Sequence, residues 1–295
     1  MAIVLITGTS KGIGFETALV FARAGHTVLA TMRHPSRSPQ LAEIAAREKL
    51  PITISQLDVD SDQSVAEAFQ AVHHQHGPID VLVNNAGVEM AGAIEELPLS
   101  KFRSVMETNY FGALRCIQAV VPHMRQRRRG CIINISSVAG RISSPPLTPY
   151  MATKWALEAL SEGLAGEVKA FNIRVALVEP GITDTEMARR LEVRSGASPY
   201  PQYERFSAIF EESLRQNPVP PSVVADKILE VVESGTWQLR HPVGPGAEGF
   251  LQWRKSFTDE EWATLYSADD DTWYARIEHD FGLDTRPKHL KRAAS

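Results

Sequence analysis

The chain has 295 residues, 43% of them hydrophobic and 22% charged, with a formal net charge of -4. This balance excludes a disordered or fibrous chain and gives no whole-molecule field that would draw in nucleic acid or an anionic membrane. Two cysteines, Cys116 and Cys131, cannot make a disulfide framework, and the opening MAIVLITGTSKG has no basic leader, so a reducing, cytoplasmic setting is expected.

The first predicted strand, residues 2–7, runs directly into TGTSKGIG at 7–14. A glycine-rich turn between a strand and a helix suits a dinucleotide. The free N–H groups of the helix start face phosphate, and Gly8, Gly12 and Gly14 let the backbone come close to it. The spacing is G-x-x-x-G-x-G, a departure from the commoner G-x-G-x-x-G. The second strand, 26–31, leads into MRHPSR, where an acidic residue would bind the ribose 2′-hydroxyl of NAD. Met32 and Arg33 stand there instead, and Lys11 lies within the glycine turn. Two cations without a carboxylate favour a 2′-phosphate, so NADP(H) is expected over NAD(H); the plainer alternative is that both cations are solvated surface residues.

Strands follow at 51–59, 79–85, 130–136 and 173–180, with a weaker one at 237–243. Their continuous apolar runs alternate with helical patterns. This predicts an α/β fold with a doubly wound parallel sheet of about seven strands and helices on both faces. Leu157, Leu160, Leu164, Val168 and Phe171 mark one face of a helix over residues 150–171. SVVADKILEVVESG is another helix, with Ser222 as its N-cap and Gly235 as its stop. The basic run RQRRRG (125–130) fits a helix C-terminus, where cations complement the dipole. HHQHG (73–77) lacks the i, i+4 pair and the acidic or thiol neighbours of a metal site, so it reads as an exposed helix end and no metal is expected. No apolar run approaches the ~18–20 residues needed to span a bilayer.

The chemistry is concentrated in SSVAGRISSPPLTPYMATK, residues 136–154. Tyr150 and Lys154 are one helical turn apart, so both project from one face. A phenol titrates near ~10 in water. An ammonium beside it, helped by the positive nicotinamide ring of an oxidised cofactor, is expected to stabilise the phenolate. Tyr150 would then serve as general acid in carbonyl reduction and general base in alcohol oxidation. Ser137 ends the fifth strand, on the carboxyl edge where open α/β sheets bind ligands, and its hydroxyl suits a substrate oxygen.

Together these motifs resemble the short-chain dehydrogenase/reductase family, in the branch with a T-G-x-x-x-G-x-G turn and a Y-x-x-x-K pair. The match runs in order through TGTSKGIG, LDVD with Asp58, NNAG at 84–87, Asn109 in ETNYFG, Ser137, Tyr150, Lys154 and PGITDT at 180–185, and covers residues 1–245. The resemblance implies a single Rossmann-type, NADP-binding catalytic domain over that range, with Asn109, Ser137, Tyr150 and Lys154 as the catalytic set. It selects Ser137, thirteen residues ahead of the tyrosine, over Ser136. It implies that Asp58 meets the adenine amino group, that Asn85, Ala86 and Gly87 line the adenosine ribose, and that Lys154 holds the nicotinamide ribose as well as tuning Tyr150. Asn109 would hold a water connecting Lys154 to solvent, while Ile182 and Thr185 would fix the nicotinamide carboxamide. Ser10, Ile13, Val59, Pro180, Gly181 and Thr183, inside the same motifs, complete the implied cofactor lining. Pairing into a homodimer or homotetramer, through the helices that hold Asn109 and Lys154, is implied by the same analogy.

By this resemblance, substrate choice falls to the loop after the fifth strand, the segment after PG and the C-terminus. A lid over residues 185–217 carries Phe206, Ile209, Phe210 and Leu214 on one helical face. It either covers a bulky apolar substrate such as a steroid, retinoid or aromatic ketone, or only packs its helix onto the core. Pro145-Pro146 is expected as a stiff wall beside the site. The tail, 246–295, carries Trp253, Phe257, Trp262, Tyr266, Trp273, Tyr274 and Phe281. Amphipathic helices are expected there, over the active site or at a subunit interface, with SADDDTW (267–273) as a solvated turn.

The leading expectation is an NADPH-dependent carbonyl reductase, reversible as a secondary-alcohol dehydrogenase, acting on a bulky hydrophobic small molecule. A non-catalytic NADP(H)-sensing regulator is the alternative, though a sensor would not need the intact Asn109, Ser137, Tyr150 and Lys154 set. An epimerase or dehydratase would call for a sugar-nucleotide domain, and no stretch of the sequence suggests one.

Overall fold

The computed structural model describes residues 1–189 and 198–287. Strands β1 (Ile3–Thr7), β2 (Thr27–Met32), β3 (Ile52–Gln56), β4 (Val81–Asn84), β5 (Gly130–Ile135), β6 (Ile173–Pro180) and β7 (Arg240–Val243) form one sheet in the order β3-β2-β1-β4-β5-β6-β7. Every neighbouring pair is parallel. Helices α1 (Gly12–Arg23), α2 (Gln40–Glu48), α3 (Asp62–His76), α4 (Leu99–Met106), α5 (Gly112–Arg127), α6 (Thr148–Val168), α7 (Glu186–Arg189), α8 (Gln202–Gln216) and α9 (Pro221–Glu233) connect them. A tail of α10 (Ala247–Lys255), α11 (Asp259–Ser267) and α12 (Asp270–Phe281) follows. The predicted doubly wound α/β sheet is the observed fold.

Both faces of the sheet are buried, which is why the strands read as unbroken apolar runs. In β1, Val4 and Ile6 face a layer shared with Phe21 of α1, Leu41 of α2 and Ile228 of α9. Leu5 points the other way, into Phe69 of α3, Val120 of α5 and Leu164 of α6. Full burial of each such side chain contributes about 1.5–3 kcal/mol. Cys131 belongs to the first layer and Cys116 to the second, so the sheet separates the two free thiols.

The chain lays down β1, β2 and β3 outward and then returns to place β4 on the other side of β1. At such a reversal the loops after adjacent strands diverge and open a crevice at their carboxyl ends. The basic run after α5 does more than complement a dipole. Arg127 donates to Asp80 at 3.0 Å and to the Ile79 carbonyl at 2.6 Å, and Arg128 donates to the Ala170 carbonyl at 2.7 Å. Ser222 is not the N-cap of α9; Pro221 opens that helix, with its φ already set and no N–H to satisfy. Among the described residues, no helix is long and apolar enough to cross a membrane.

The tail helices build a third apolar cluster with Ile142 and with Ile209 of α8, centred on Leu251, Trp262, Trp273 and Ile277. SADDDTW is largely exposed, as expected of a solvated turn, and it also anchors that cluster. Asp269 caps α12 by accepting the Thr272 N–H at 2.8 Å, and Asp270 receives Arg205 Nη2 and Nε of α8 at 2.7 and 2.9 Å. Arg205 is 3% exposed and also donates to the Ala268 carbonyl at 2.9 Å. A guanidinium so placed requires a carboxylate, and its partner lies 65 residues away in sequence, beyond any local pattern.

This asymmetry is measurable. Asp270→Ala leaves Arg205 buried and unpaired and is expected to cost about 3 kcal/mol in urea unfolding, whereas Arg205→Met leaves a half-exposed carboxylate that water satisfies and costs less. Equal losses would mean that the pair is not what fastens α8 to the tail.

Candidate active site

The crevice is fastened at its base by the last residue of β1. The Thr7 hydroxyl accepts the N–H groups of Asn85 and Ala86 at 3.0 Å each. Asn85 Nδ2 donates in return to the carbonyls of Thr7 at 2.9 Å and Gly8 at 3.0 Å. These bonds lock the glycine turn to the loop after β4. Gly8 has a φ of +71°, and a Cβ there would lie 2.8 Å from Ala86 Cα; a Cβ at Gly14 would strike the Gly8 carbonyl and the Asn85 amide. Asn85, expected to line the ribose, lies in the cavity wall, and its Nδ2 is at the same time committed to holding the turn.

Helix α1 begins at Gly12 with Lys11 at the N-cap and no side-chain capping bond, so its first N–H groups remain open to an anion. Ser10, Ile13, Asp58, Val59, Ala86 and Gly87 line the same cavity, as expected. Strand β3 ends at Gln56, three residues short of the prediction, because Leu57, Asp58 and Val59 leave the sheet to form the cavity wall. Arg33 and Arg37 both line this end. Lys11 is not a free cation: its Nζ lies 2.6 Å from Glu186 Oε2 on α7.

The cavity, about 900 Å³, continues to Ser137, Tyr150 and Lys154. Tyr150 is in the first turn of α6, which Thr148 and Pro149 open two residues earlier than predicted. Lys154, one turn on and 6% exposed, donates to the Ile135 carbonyl at 2.8 Å, and its Nζ is 5.5 Å from the Tyr150 ring centre. Ser137 Oγ accepts the Ala139 N–H at 3.1 Å and donates to the Pro180 carbonyl at 3.3 Å.

The protonation of Tyr150 departs from expectation. Burial, and then the nearby Glu89 carboxylate, raise its phenol above the ordinary value, and the neighbouring Ser137 hydroxyl offsets this only in part. Burial also lowers Lys154 to about 8, against the pull of Glu158. Loss of water disfavours the phenolate more than the neighbouring ammonium stabilises it. By itself, then, the chain holds a neutral phenol, the form that donates a proton.

Asn109 sits in a π-helical turn, Glu107–Phe111, between α4 and α5. Its Oδ1 accepts the Val88 N–H at 2.8 Å, and Nδ2 donates to the Val88 carbonyl and to Thr153 Oγ1, both at 2.9 Å. With both Nδ2 protons in use, the side chain clamps the loop after β4 to α6. Pro145 and Pro146 do not line the cavity; Ser144 and Leu147 beside them do. The Pro146 carbonyl instead accepts the Gly92 N–H at 2.9 Å.

Pro180, Gly181, Ile182, Thr183 and Thr185 form the rim opposite the glycine turn, where the Thr185 hydroxyl also accepts the Ala188 N–H at 3.2 Å. Tyr203, Phe206, Ile209 and Phe210 of α8 form the outer wall, and Leu214 stays outside it. Phe250, Trp253, Tyr266 and Phe281 show that the tail covers the cavity. The remainder of the expected lid at 190–197 and the last tail residues, 288–295, lie outside the described residues. Thr7, Arg37 and Glu89 were missed by sequence reasoning. Only Glu89, a carboxylate directly after NNAGV, offered a local signal.

The short chain dehydrogenase family model matches residues 2–195. The chain belongs to the short-chain dehydrogenase/reductase family. The uncharacterized oxidoreductase YusZ of Bacillus subtilis is 36% identical over 271 residues, 89% of this chain and 96% of that one. Retinol dehydrogenase 8 of Bos taurus is 43% identical over 203 residues, 67% of this chain and 64% of that one. A solved short-chain dehydrogenase from Streptomyces avermitilis matches with a TM-score of 0.75 at 34% identity, covering 90% of this chain and 95% of that one. This short-chain dehydrogenase/reductase is therefore an oxidoreductase of a family that uses nicotinamide cofactors.

Two outcomes follow from the geometry. Asn85→Ala frees the glycine turn and is expected to weaken dinucleotide binding about tenfold by calorimetry, with far-UV circular dichroism unchanged. Undiminished affinity would remove Asn85 from that role. Burial holds the carboxyls of Glu89 and Glu179 at about 7, so the native chain keeps protons that the unfolded chain releases from 4.5 upward. Their stabilisation is present below that lower value and is lost as pH rises to about 7. Glu89→Gln is accordingly expected to raise Tm over the parent chain near pH ~8 and not near pH ~4; the same increment at both would show that Glu89 is not buried in its charged form.

Proposed function

We propose that the protein is an NADPH-dependent carbonyl reductase, reversible as a secondary-alcohol dehydrogenase, for a bulky hydrophobic ketone, aldehyde or alcohol. The observation that carries this reading is Tyr150 lining the cavity together with Ser137, one turn from Lys154, in a space walled by aromatic side chains. The residues fit a dinucleotide: an uncapped helix start, a glycine turn with no room for side chains at Gly8 and Gly14, and Arg33 and Arg37 at the far end. When bound, the cofactor supplies the hydride for the carbonyl carbon.

The rest is done by the chain's own groups. The Ser137 hydroxyl turns from the Pro180 carbonyl to the substrate oxygen and stabilises the charge that develops there. The Tyr150 phenol gives its proton to that oxygen. Lys154 spends one N–H on Ile135 and has two more for ribose hydroxyls, and its charge supports the phenolate that the transfer leaves behind. Asp58 faces the adenine, Ala86 and Gly87 the adenosine ribose, and Ile182 and Thr185 the carboxamide. No carboxylate occupies the end of β2, while Arg33 and Arg37 stand ready for a 2′-phosphate, which supports NADP(H) over NAD(H). Phe111 and Trp155, 42% and 49% exposed at α5 and on α6, support pairing of two copies through those helices.

Tyr150→Phe is expected to lower NADPH-dependent reduction of bulky ketones by about 100-fold or more while cofactor affinity is kept. Retained turnover would refute the proton-donor role, and a parent chain that binds NADPH but turns over no carbonyl would favour a sensor. Replacing Arg33 and Arg37 together by Ala is expected to raise KM for NADPH about tenfold and leave that for NADH in place. An equal effect on both cofactors would remove the 2′-phosphate reading.

A further inference from the structure

The apolar end of the cavity contains one carboxylate that the proposed chemistry does not use. Glu89 follows Val88, whose N–H and C=O are both held by Asn109. Gly92, three residues on, donates to the Pro146 carbonyl at 2.9 Å, and a Cβ there would come within 2.8 Å of the Leu97 side chain. These two anchors fix the short loop between them, so Glu89 is presented to the cavity by a held backbone. It lines that space together with Met90, Leu147, Phe206 and Phe210. Its charge acts on the Tyr150 phenol, which places it near the reacting centre.

Among the described residues, no cation or hydrogen-bond donor pairs with the Glu89 carboxyl, and burial alone raises it to about 7. A carboxyl held in apolar surroundings without a partner is unfavourable, and a ligand that enters the cavity can supply one. A plain apolar ketone leaves it unpaired. An ammonium answers both its charge and its lone pairs, and charge-assisted hydrogen bonds are about twice as strong as neutral ones. Resting on the carbonyl-reductase reading, we propose that Glu89 is a specificity-determining residue that accepts a hydrogen bond from a protonated amine next to the reacting carbon. The substrate class is then amino ketones, and the corresponding amino alcohols, with a large apolar remainder. The ammonium lies on the Tyr150 side of the cavity, and the remainder runs outward between α8 and the tail.

The test compares a twelve-carbon secondary alcohol with its analogue bearing a primary amine on the adjacent carbon. Each is offered with NADP in the oxidation direction, and binding is read separately through tryptophan fluorescence, to which Trp253 in the cavity wall contributes. The amine is expected to improve both kcat/KM and affinity about tenfold in the parent chain, and Glu89→Gln, which keeps the shape and removes the charge, is expected to bring both ratios close to one. No gain from the amine in the parent chain overturns the proposal whatever the variant does, and so does a gain that survives in Glu89→Gln. Amine-dependent binding that Glu89→Gln abolishes, with no turnover of either compound, would uphold Glu89 and count against the reductase reading instead.

Discussion

A buried contact, the Lys154 ammonium on the Ile135 carbonyl, joins the start of α6 to the end of β5, and the catalytic side of the site is hung from that junction. It desolvates a cation, which is unfavourable, and the carbonyl at the open edge of the parallel sheet compensates by accepting its proton. With α6 fixed in this way, Tyr150 is held over Ser137. The adjacent Thr153 is then within 2.9 Å of Asn109 Nδ2, and Asn109 in turn grips Val88 through both of its main-chain groups. Sheet edge, π-helical turn and helix start are thus tied into one rigid piece, with the glycine turn fastened to its other side by Thr7 and Asn85.

The sheet was legible because strands buried on both faces leave unbroken apolar runs, and all seven predicted strands have counterparts. The boundary at β3 was misjudged where the chain stays apolar after leaving the sheet: Leu57 and Val59 are buried in the crevice wall and not in a ladder. Ser137 was singled out from Ser136 by the family resemblance, while Tyr150 and Lys154 were legible as a pair from spacing, since helix geometry turns spacing into direction. Their protonation was not, because it depends on how much water the folded chain removes and on Glu89 arriving from another loop. Asn85 and Asn109 were recognised as site positions, but the contacts their side chains make within the chain were not foreseen. Asn85 reaches a glycine turn 77 residues back in sequence, and Asn109 reaches a threonine 44 residues ahead. The aspartates of SADDDTW look solvated until Arg205 is found beneath one of them.

Behind the site, the fold carries an unusual load of buried charge. Glu179 is fully buried, and its two cationic neighbours, Arg141 and Arg240, are 3.5 and 3.8 Å away. Arg240 also bridges to Glu158 on α6 at 2.9 Å, one turn beyond Lys154. Such groups are retained at a cost in stability, which the two apolar layers of the sheet offset. Glu179, near the carboxyl end of β6, and Glu158, one turn beyond Lys154, place that cost next to the chemistry, where desolvation also sets the proton affinities of Tyr150 and Lys154.

The family pattern covers residues 2–195, and every group given a part in proton or hydride transfer lies within it. The aromatic wall of the cavity, from Tyr203 on α8 to Phe281 on α12, lies wholly beyond it. Reaction and the aromatic share of substrate choice are therefore written in separate stretches of the gene. Exchange of the last hundred codons would redraw that wall while leaving the catalyst, and Glu89 with it, intact.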